Sequence, residues 1–347
     1  MDPVTHILFG AVMGRSGFNR MTGLATATLA LSAEMPDLDV SLLLIDPITN
    51  FAHHRGFTHT LLAMPLTAAV SLGVIYAAYT WLNRRRGWTP KVAVRWPLLY
   101  LFALLGSLSH ILLDFTNNYG VRPFMPFSYR WHSWDIVSII EPLMIGALML
   151  ALLGPKFFAL IGSEIGEKQK QFAGRDAAIS ALVFIALMWW ARDYNHRQAV
   201  ALLEREDYNG EQVRRVSAYP YPMNPFHWHG VAETDTFFKM SSVDTQKGEV
   251  DAQRNAVVRY KPEETPVTLA AKRSRLGRVY LDWAQYPYVE VQPEVQTMGK
   301  PQQGYVVYFW DLRYAYPEGK VRILGGSVDL GPDLKVLDQT MGPREEK

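Results

Sequence analysis

Apolar and polar positions are distributed very unevenly along this chain. Thr60–Leu82 is an uncharged apolar run of 23 residues. As a helix it would span roughly 34 Å, enough to cross a bilayer core. Trp96–Leu113 is a second uncharged run, of 18 residues. Ile136–Ile161 is a third, interrupted by Glu141, Pro142, Pro155 and Lys156. Ala177–Ala191 is shorter and ends in Trp189-Trp190, a plausible interfacial anchor. Thr5–Met13 and Met21–Ala33 are apolar but short for spans. These runs predict an all-α, multi-pass membrane bundle over residues 1–191.

Beyond Ala191 the periodicity changes. Phe226–Glu233 and Thr236–Val243 predict a hairpin around Thr234-Asp235, and Gly304–Tyr314 and Lys320–Leu330, the latter after a Pro-Glu-Gly turn, predict strands. Val267–Trp283 reads as a helix: Leu269, Leu276, Tyr280 and Trp283 recur at helical steps and Pro266 precedes them. Residues 192–347 are therefore expected to form a small soluble α+β domain with mainly antiparallel strands.

Charge supports the same division. The mean hydropathy of −0.04 averages two different halves. Lys, Arg, Asp and Glu fill 25 of the first 191 positions and 43 of the last 156. A net charge of +2 leaves no nucleic-acid footprint. With no cysteine, thiolate metal sites, thiol catalysis and disulfides are all excluded. Met1-Asp2-Pro3 has an acid where a secretory signal needs basic residues, so the first helices are expected to stay in the mature protein.

Ionisable side chains inside or beside apolar helices are costly and are functional candidates by default. His110 and Asp114 lie four apart, on one face of a helix, where they could share an ion or simply hydrogen-bond. His54-Arg55-Gly56-Phe57-Thr58-His59 is the sharpest motif. Gly56 permits an unusual turn, Thr58 can cap the next span, and Arg55 offers a fork of donors suited to an anion. Pro36 stops a helix and leaves Asp37 and Asp39 on its exit turn. His6 follows a helix-start pattern but carries little weight alone. His227 and His229 share a strand face and read as part of an aromatic-rich strand. Imidazoles and carboxylates without thiolate suit Zn, Mn or Fe and hydrolytic Lewis-acid chemistry.

Several motifs occur in a fixed order: Asp2-Pro3-Val4-Thr5-His6, Pro36-Asp37-Leu38-Asp39, His54 to His59, His110-Ile-Leu-Leu-Asp114, then Asn118-Tyr119-Gly120 and Pro126-Phe127-Ser128. Together they resemble the YdjM-type membrane-bound metal-dependent hydrolases, a family grouped with zinc-dependent phospholipase C and single-strand nucleases. The resemblance is strong over residues 1–150 and looser in the C-terminal region. It implies a helical bundle with a His/Asp metal site. The ligands it implies are His6, Asp37, His54, His59, His110 and Asp114, with Asp135 and Glu141 where similar sequences carry further acids. The phospholipase and nuclease relatives use a mature N-terminal Trp amine and carbonyl, and a chain starting Met1-Asp2 is not expected to form that ion site the same way.

The expected function is hydrolysis of a phosphoester or other ester in a lipid or lipid-linked substrate, using one or two divalent ions, Zn2+ first. Asp39 or Asp135 would take the proton from water, Glu141 would add a ligand, and Arg55 would hold developing negative charge. The alternatives are a non-catalytic membrane protein with a structural centre and a partner-binding tail, or an ion transporter. Basic residues cluster at Arg15 and Arg20, at Arg84 to Arg95, and at Lys156 to Arg175. If those loops are cytoplasmic, the candidate ligands and residues 192–347 lie on the other side of an inner membrane.

Overall fold

The computed structural model describes residues 1–164, 174–251, 254–297, 300–316 and 324–342. Its contacts divide the chain into two units. One comprises Met1–Asp39 and Arg55–Tyr194, the other Val40–His54 and Asn195–Lys347.

The first unit is helical. Helix α1 (Pro3–Met13) starts where the Asp2 carboxylate accepts from the Thr5 amide at 3.0 Å, with Pro3 in the first turn. Helix α2 (Ala25–Glu34) packs against α1 at Gly10, where an added Cβ would lie 2.4 Å from the Leu29 carbonyl oxygen. Among the described residues, four helices are long and apolar enough to cross a membrane: Met64–Arg86, Trp96–Thr116, Pro142–Ala159 and Arg175–Leu203.

The helix at Met64–Arg86 starts later than its apolar run because Pro65 takes the first turn, and the Thr60 hydroxyl accepts from the Ala63 amide at 2.9 Å just before it. It ends with Arg84, Arg85 and Arg86 in the last turn and Gly87 at φ 60°, the left-handed stop that favours glycine. The helix Trp96–Thr116 buries Leu99, Phe102, Ala103, Gly106, His110, Leu113 and Asp114 on one face, at steps of three and four. Residues 136–140 were expected to open the third span, but the helix begins at Pro142. The amides of Trp134, Ile136 and Val137 instead satisfy the Phe115 and Thr116 carbonyls at the end of the preceding helix.

The second unit holds two antiparallel sheets. One has strands β1 (Val213–Pro220), β2 (His227–Thr234), β3 (Phe237–Asp244) and β4 (Glu249–Val250) in that order, with β5 (Val257–Tyr260) also on β3. The other runs β6 (Pro287–Thr297), β7 (Lys300–Asp311), β8 (Gly326–Leu330) and β9 (Val336–Met341). The expected hairpin is β2 and β3. The expected Pro-Glu-Gly turn lies outside the described residues. The single helix expected over Val267–Trp283 is two, Pro266–Arg273 and Arg275–Trp283. Ser274 is extended between them, and its hydroxyl caps the second at the Gly277 amide.

Segment Val40–His54 belongs to this second unit, which hydropathy alone does not foresee. Its helix Pro47–His53 places the Phe51 ring 5.9 Å from Tyr280 and 5.0 Å from Trp283, and Arg275 pairs with Asp46 at 3.2 Å.

Candidate metal centre

The helix Trp96–Thr116 supplies His110 and Asp114 from its buried face, both with no solvent exposure. The Nδ1 atom of His110 lies 2.6 Å from the Ala33 carbonyl oxygen. A carbonyl can only accept, so Nδ1 carries hydrogen and the neutral ring presents its Nε2 lone pair. That Nε2 lies 3.0 Å from His59 Nε2, 3.4 Å from Asp114 Oδ2 and 3.6 Å from Asp37 Oδ1.

His59 comes from a tight helical turn, Phe57–His59. The preceding bend is made by Arg55, at φ 55°, together with Gly56, so the left-handed residue is the arginine and not the glycine. His59 Nε2 lies 3.2 Å from Asp37 Oδ1 and 3.4 Å from Asp114 Oδ2. Its other nitrogen, Nδ1, lies 3.3 Å from Asp39 Oδ2 and 3.0 Å from the Thr58 hydroxyl. Burial works against protonation of His59, but the facing carboxylates of Asp114, Asp37 and Asp39 outweigh it and push its pKa up to about 10. Asp37 is held below the usual carboxylate range by His59 and His110, although burial acts the other way.

Asp37, His59, His110 and Asp114 therefore converge, with one donor atom of each within 4.8 Å of the others. This group could hold a metal ion. The five separations that involve an imidazole nitrogen, 3.0 to 3.6 Å, fit one. A tetrahedral site with bonds of about 2.0–2.1 Å has ligand–ligand edges of about 3.3 Å. The Asp114 Oδ2 atom is buried and accepts no hydrogen bond, a state a bound cation would relieve.

His6 is buried and stacks on His110 with ring centres 3.8 Å apart, and its Nε2 lies 3.4 Å from Asp114 Oδ1. The Met1 amino group, set aside on sequence grounds, is buried against both, 3.1 Å from His6 Nε2 and hydrogen-bonded to Asp114. Asp39 was expected to act as a base. Its Oδ2 accepts from the Arg55 amide at 3.0 Å and the Thr58 hydroxyl at 3.1 Å, and it faces His59. The Thr58 hydroxyl is thus used there and does not cap the following helix.

Arg55 was expected to meet substrate charge. It is 3% exposed, and its guanidinium is 2.9 Å from Asp114 Oδ1, 3.0 Å from Asn117 Oδ1 and 3.1 Å from the Gly120 carbonyl oxygen. It also lies over the Tyr119 ring at 4.6 Å. All of these partners lie within the first unit.

Glu141 was expected as a ligand. It is fully buried and paired with Arg192 at 2.9 Å, outside the converging group. A carboxylate matched to a buried guanidinium has its charge already answered. Asp135 lies at φ 58° in the loop fastened to the end of the Trp96–Thr116 helix, and it is not in the group either. His54 closes the helix Pro47–His53 in the second unit.

Sequence reasoning missed Glu34, the last residue of α2. One of its carboxyl oxygens is buried with no hydrogen-bond partner. Burial and then the charge of Asp37 push its pKa up to about 8. Its position one turn before Asp37 was the available signal.

Helices long enough to cross a membrane, with two imidazoles and two carboxylates buried together, define a class: membrane proteins with a His/Asp centre. The chain belongs to the YdjM inner membrane protein family, whose model matches residues 1–199. It is 26% identical over 151 residues to YfhP of Bacillus subtilis (strain 168), named an uncharacterized protein, and the match covers 41% of this chain and 42% of that one. The chain thus spans less than half the length of that relative. No solved structure matches.

Proposed function

We propose that this chain is a metal-dependent hydrolase of the inner membrane that cleaves ester or phosphoester bonds in a lipid or lipid-linked substrate. The observation that carries the reading is the convergence of His59 Nε2, His110 Nε2, Asp37 Oδ1 and Asp114 Oδ2 within 4.8 Å of one another, each imidazole nitrogen lying 3.0 to 3.6 Å from the other three atoms. Two nitrogens and two carboxylate oxygens without sulfur favour Zn2+, with Mn2+ or Fe2+ as alternatives. An ion there supplies Lewis acidity, acidifying water and polarising the oxygen under attack.

The chain's own groups do the rest. Ala33 and Asp39 fix the two imidazoles through their Nδ1 atoms, the support that metal-binding histidines commonly have. Arg55 holds Asp114 by Oδ1, which turns Oδ2 toward the imidazoles. The basic loops support a centre on the non-cytoplasmic side, with residues 192–347 on that side too.

A second reading, a structural metal centre without turnover, is favoured by the complete burial of His59, His110 and Asp114. Elemental analysis of the detergent-purified protein, run beside a panel of phosphodiester and carboxylester lipids, separates the two. Stoichiometric metal with metal-dependent turnover supports the hydrolase. Tightly held metal, no turnover on any member and a fall in Tm on chelation would favour the structural centre. Absence of metal would end both.

A further inference from the structure

The loop that follows the Trp96–Thr116 helix is built to hold one turn outward. Val121 and His132 exchange both backbone hydrogen bonds at 2.9 Å, and the Arg122 guanidinium lies 4.3 Å over the Trp131 ring. Above this base the Phe127 and Ser128 amides donate to the Phe124 carbonyl at 2.9 and 3.0 Å, closing a tight turn. The turn is tied to the segment carrying His59, because the Leu61 amide donates to the Pro123 carbonyl at 3.0 Å. Arg55 reaches the other end of the loop at Gly120.

Phe124, Phe127 and Tyr129 on this turn are exposed, Phe127 to 85%. Phe57, Leu61 and Leu62 are exposed on the segment tied to it. Exposed apolar side chains grouped on two segments joined in this way mark an interaction site.

The occupant is indicated by what the surface continues. Leu66, Val70 and Val74 are all exposed and recur every four residues, forming one stripe along the Met64–Arg86 helix, a candidate span, and exposed Leu62 lies just before it. Leu108 and Leu112 are exposed in the same way toward the end of the Trp96–Thr116 helix, the end that carries Asp114. Exposed apolar stripes on two candidate spans thus run toward the segments that carry the turn. Tyr129 and Arg130, both exposed, follow the phenylalanines, the order found where a segment passes from acyl chains to headgroups.

We propose that the Phe124–Tyr129 turn, with Phe57, Leu61 and Leu62, is a bilayer-inserted surface. It sits at the boundary between acyl chains and headgroups and sets the His/Asp centre at that level, so that substrate arrives from the leaflet. The substrate part rests on the hydrolase reading; the insertion does not.

The absence of cysteine makes the test direct. Phe127→Cys and, separately, Phe124→Cys would carry a nitroxide label in the full-length protein, reconstituted in phosphatidylethanolamine–phosphatidylglycerol vesicles. Leu150→Cys, 73% exposed in a candidate span, is the lipid reference. Lys335→Cys, at an 82% exposed side chain in the second unit, is the aqueous one. Relaxation by oxygen should exceed relaxation by a water-soluble nickel chelate several-fold at 127 and 124, as at 150. Labels that respond like position 335, or that are shielded from both reagents by a covering protein, would overturn the proposal. If Phe127→Cys does not assemble, Phe124→Cys decides. The readout needs neither metal nor turnover, so a metal-free protein would sink the hydrolase reading and leave this result standing.

Discussion

The guanidinium of Arg55 and the carboxylate of Asp114 meet at 2.9 Å through Oδ1, while Oδ2 of the same carboxylate accepts no hydrogen bond. Both groups are buried. The arginine therefore fixes which oxygen faces His59 and His110. Arg55→Ala should weaken metal binding by about 10- to 100-fold, the usual effect of losing an outer partner of a ligand. Arg55→Lys should recover only part, because an ammonium cannot reach Asp114, Asn117 and Gly120 from one planar fork. Metal titration of the two purified variants checks this. Wild-type affinity in Arg55→Ala, with turnover lost, would return Arg55 to a role in binding substrate charge.

Glu141 separates ligand from scaffold. Its carboxylate answers the buried Arg192, so Glu141→Gln would leave a buried guanidinium without its counter-charge. Breaking such a pair from one side costs about 3–5 kcal/mol. The expected outcome is a clear fall in Tm with metal per folded protein unchanged. A variant that folds normally but has lost its metal would make Glu141 a ligand after all.

How much of this was legible beforehand differs from residue to residue. The four long helices follow from uncharged runs, and the i, i+4 step of His110 and Asp114 follows from helical geometry. The hairpin of β2 and β3 follows from turn residues between alternating strands. The roles of Arg55, Asp39 and Glu141 do not follow, because a charged residue near a motif is equally compatible with contacting substrate, ligand or scaffold. Which it does depends on partners distant in sequence, such as Asp114 for Arg55 and Arg192 for Glu141. Strand β6 escaped notice because Pro287 and Pro293 mask its apolar alternation. Segment Val40–His54 escaped because its place with the second unit depends on Tyr280 and Trp283, more than 200 positions away.

Orientation gives a third expected outcome. Arg84, Arg85 and Arg86 end one candidate span, and the next begins at Trp96, so the connection between them carries the basic cluster. The cluster should be cytoplasmic and the His59 end of the same helix should face away. A C-terminal fusion to a reporter active only in the cytoplasm should be silent, and one active only outside it should be active. The opposite pair of results would reverse the orientation and leave the geometry of the centre untouched.

The second unit should carry its own acid sensitivity, through His229. The ring is buried, and its Nε2 lies 2.9 Å from the Leu312 carbonyl oxygen. That oxygen can only accept, so Nε2 carries the hydrogen and Nδ1, which has no hydrogen-bond partner, would take any added proton. Burial is the main cause that lowers the pKa of His229 from 6.5 to about 4, although the bond to Leu312 and the charge of Asp311 act the other way. Between those two values the unfolded chain binds more protons than the folded one, so stability rises with pH. The contribution is therefore complete above about pH 6.5 and is lost progressively as pH falls toward about 4. A difference of this size corresponds to about 3 kcal/mol at most. Hydrogen exchange of the β2 amides, corrected for intrinsic rates, should show protection declining over that window in the wild type. His229→Gln keeps a donor for Leu312 but cannot titrate, and its protection should change much less over the same range. Parallel pH profiles for the two proteins would place the acid sensitivity of the sheet elsewhere.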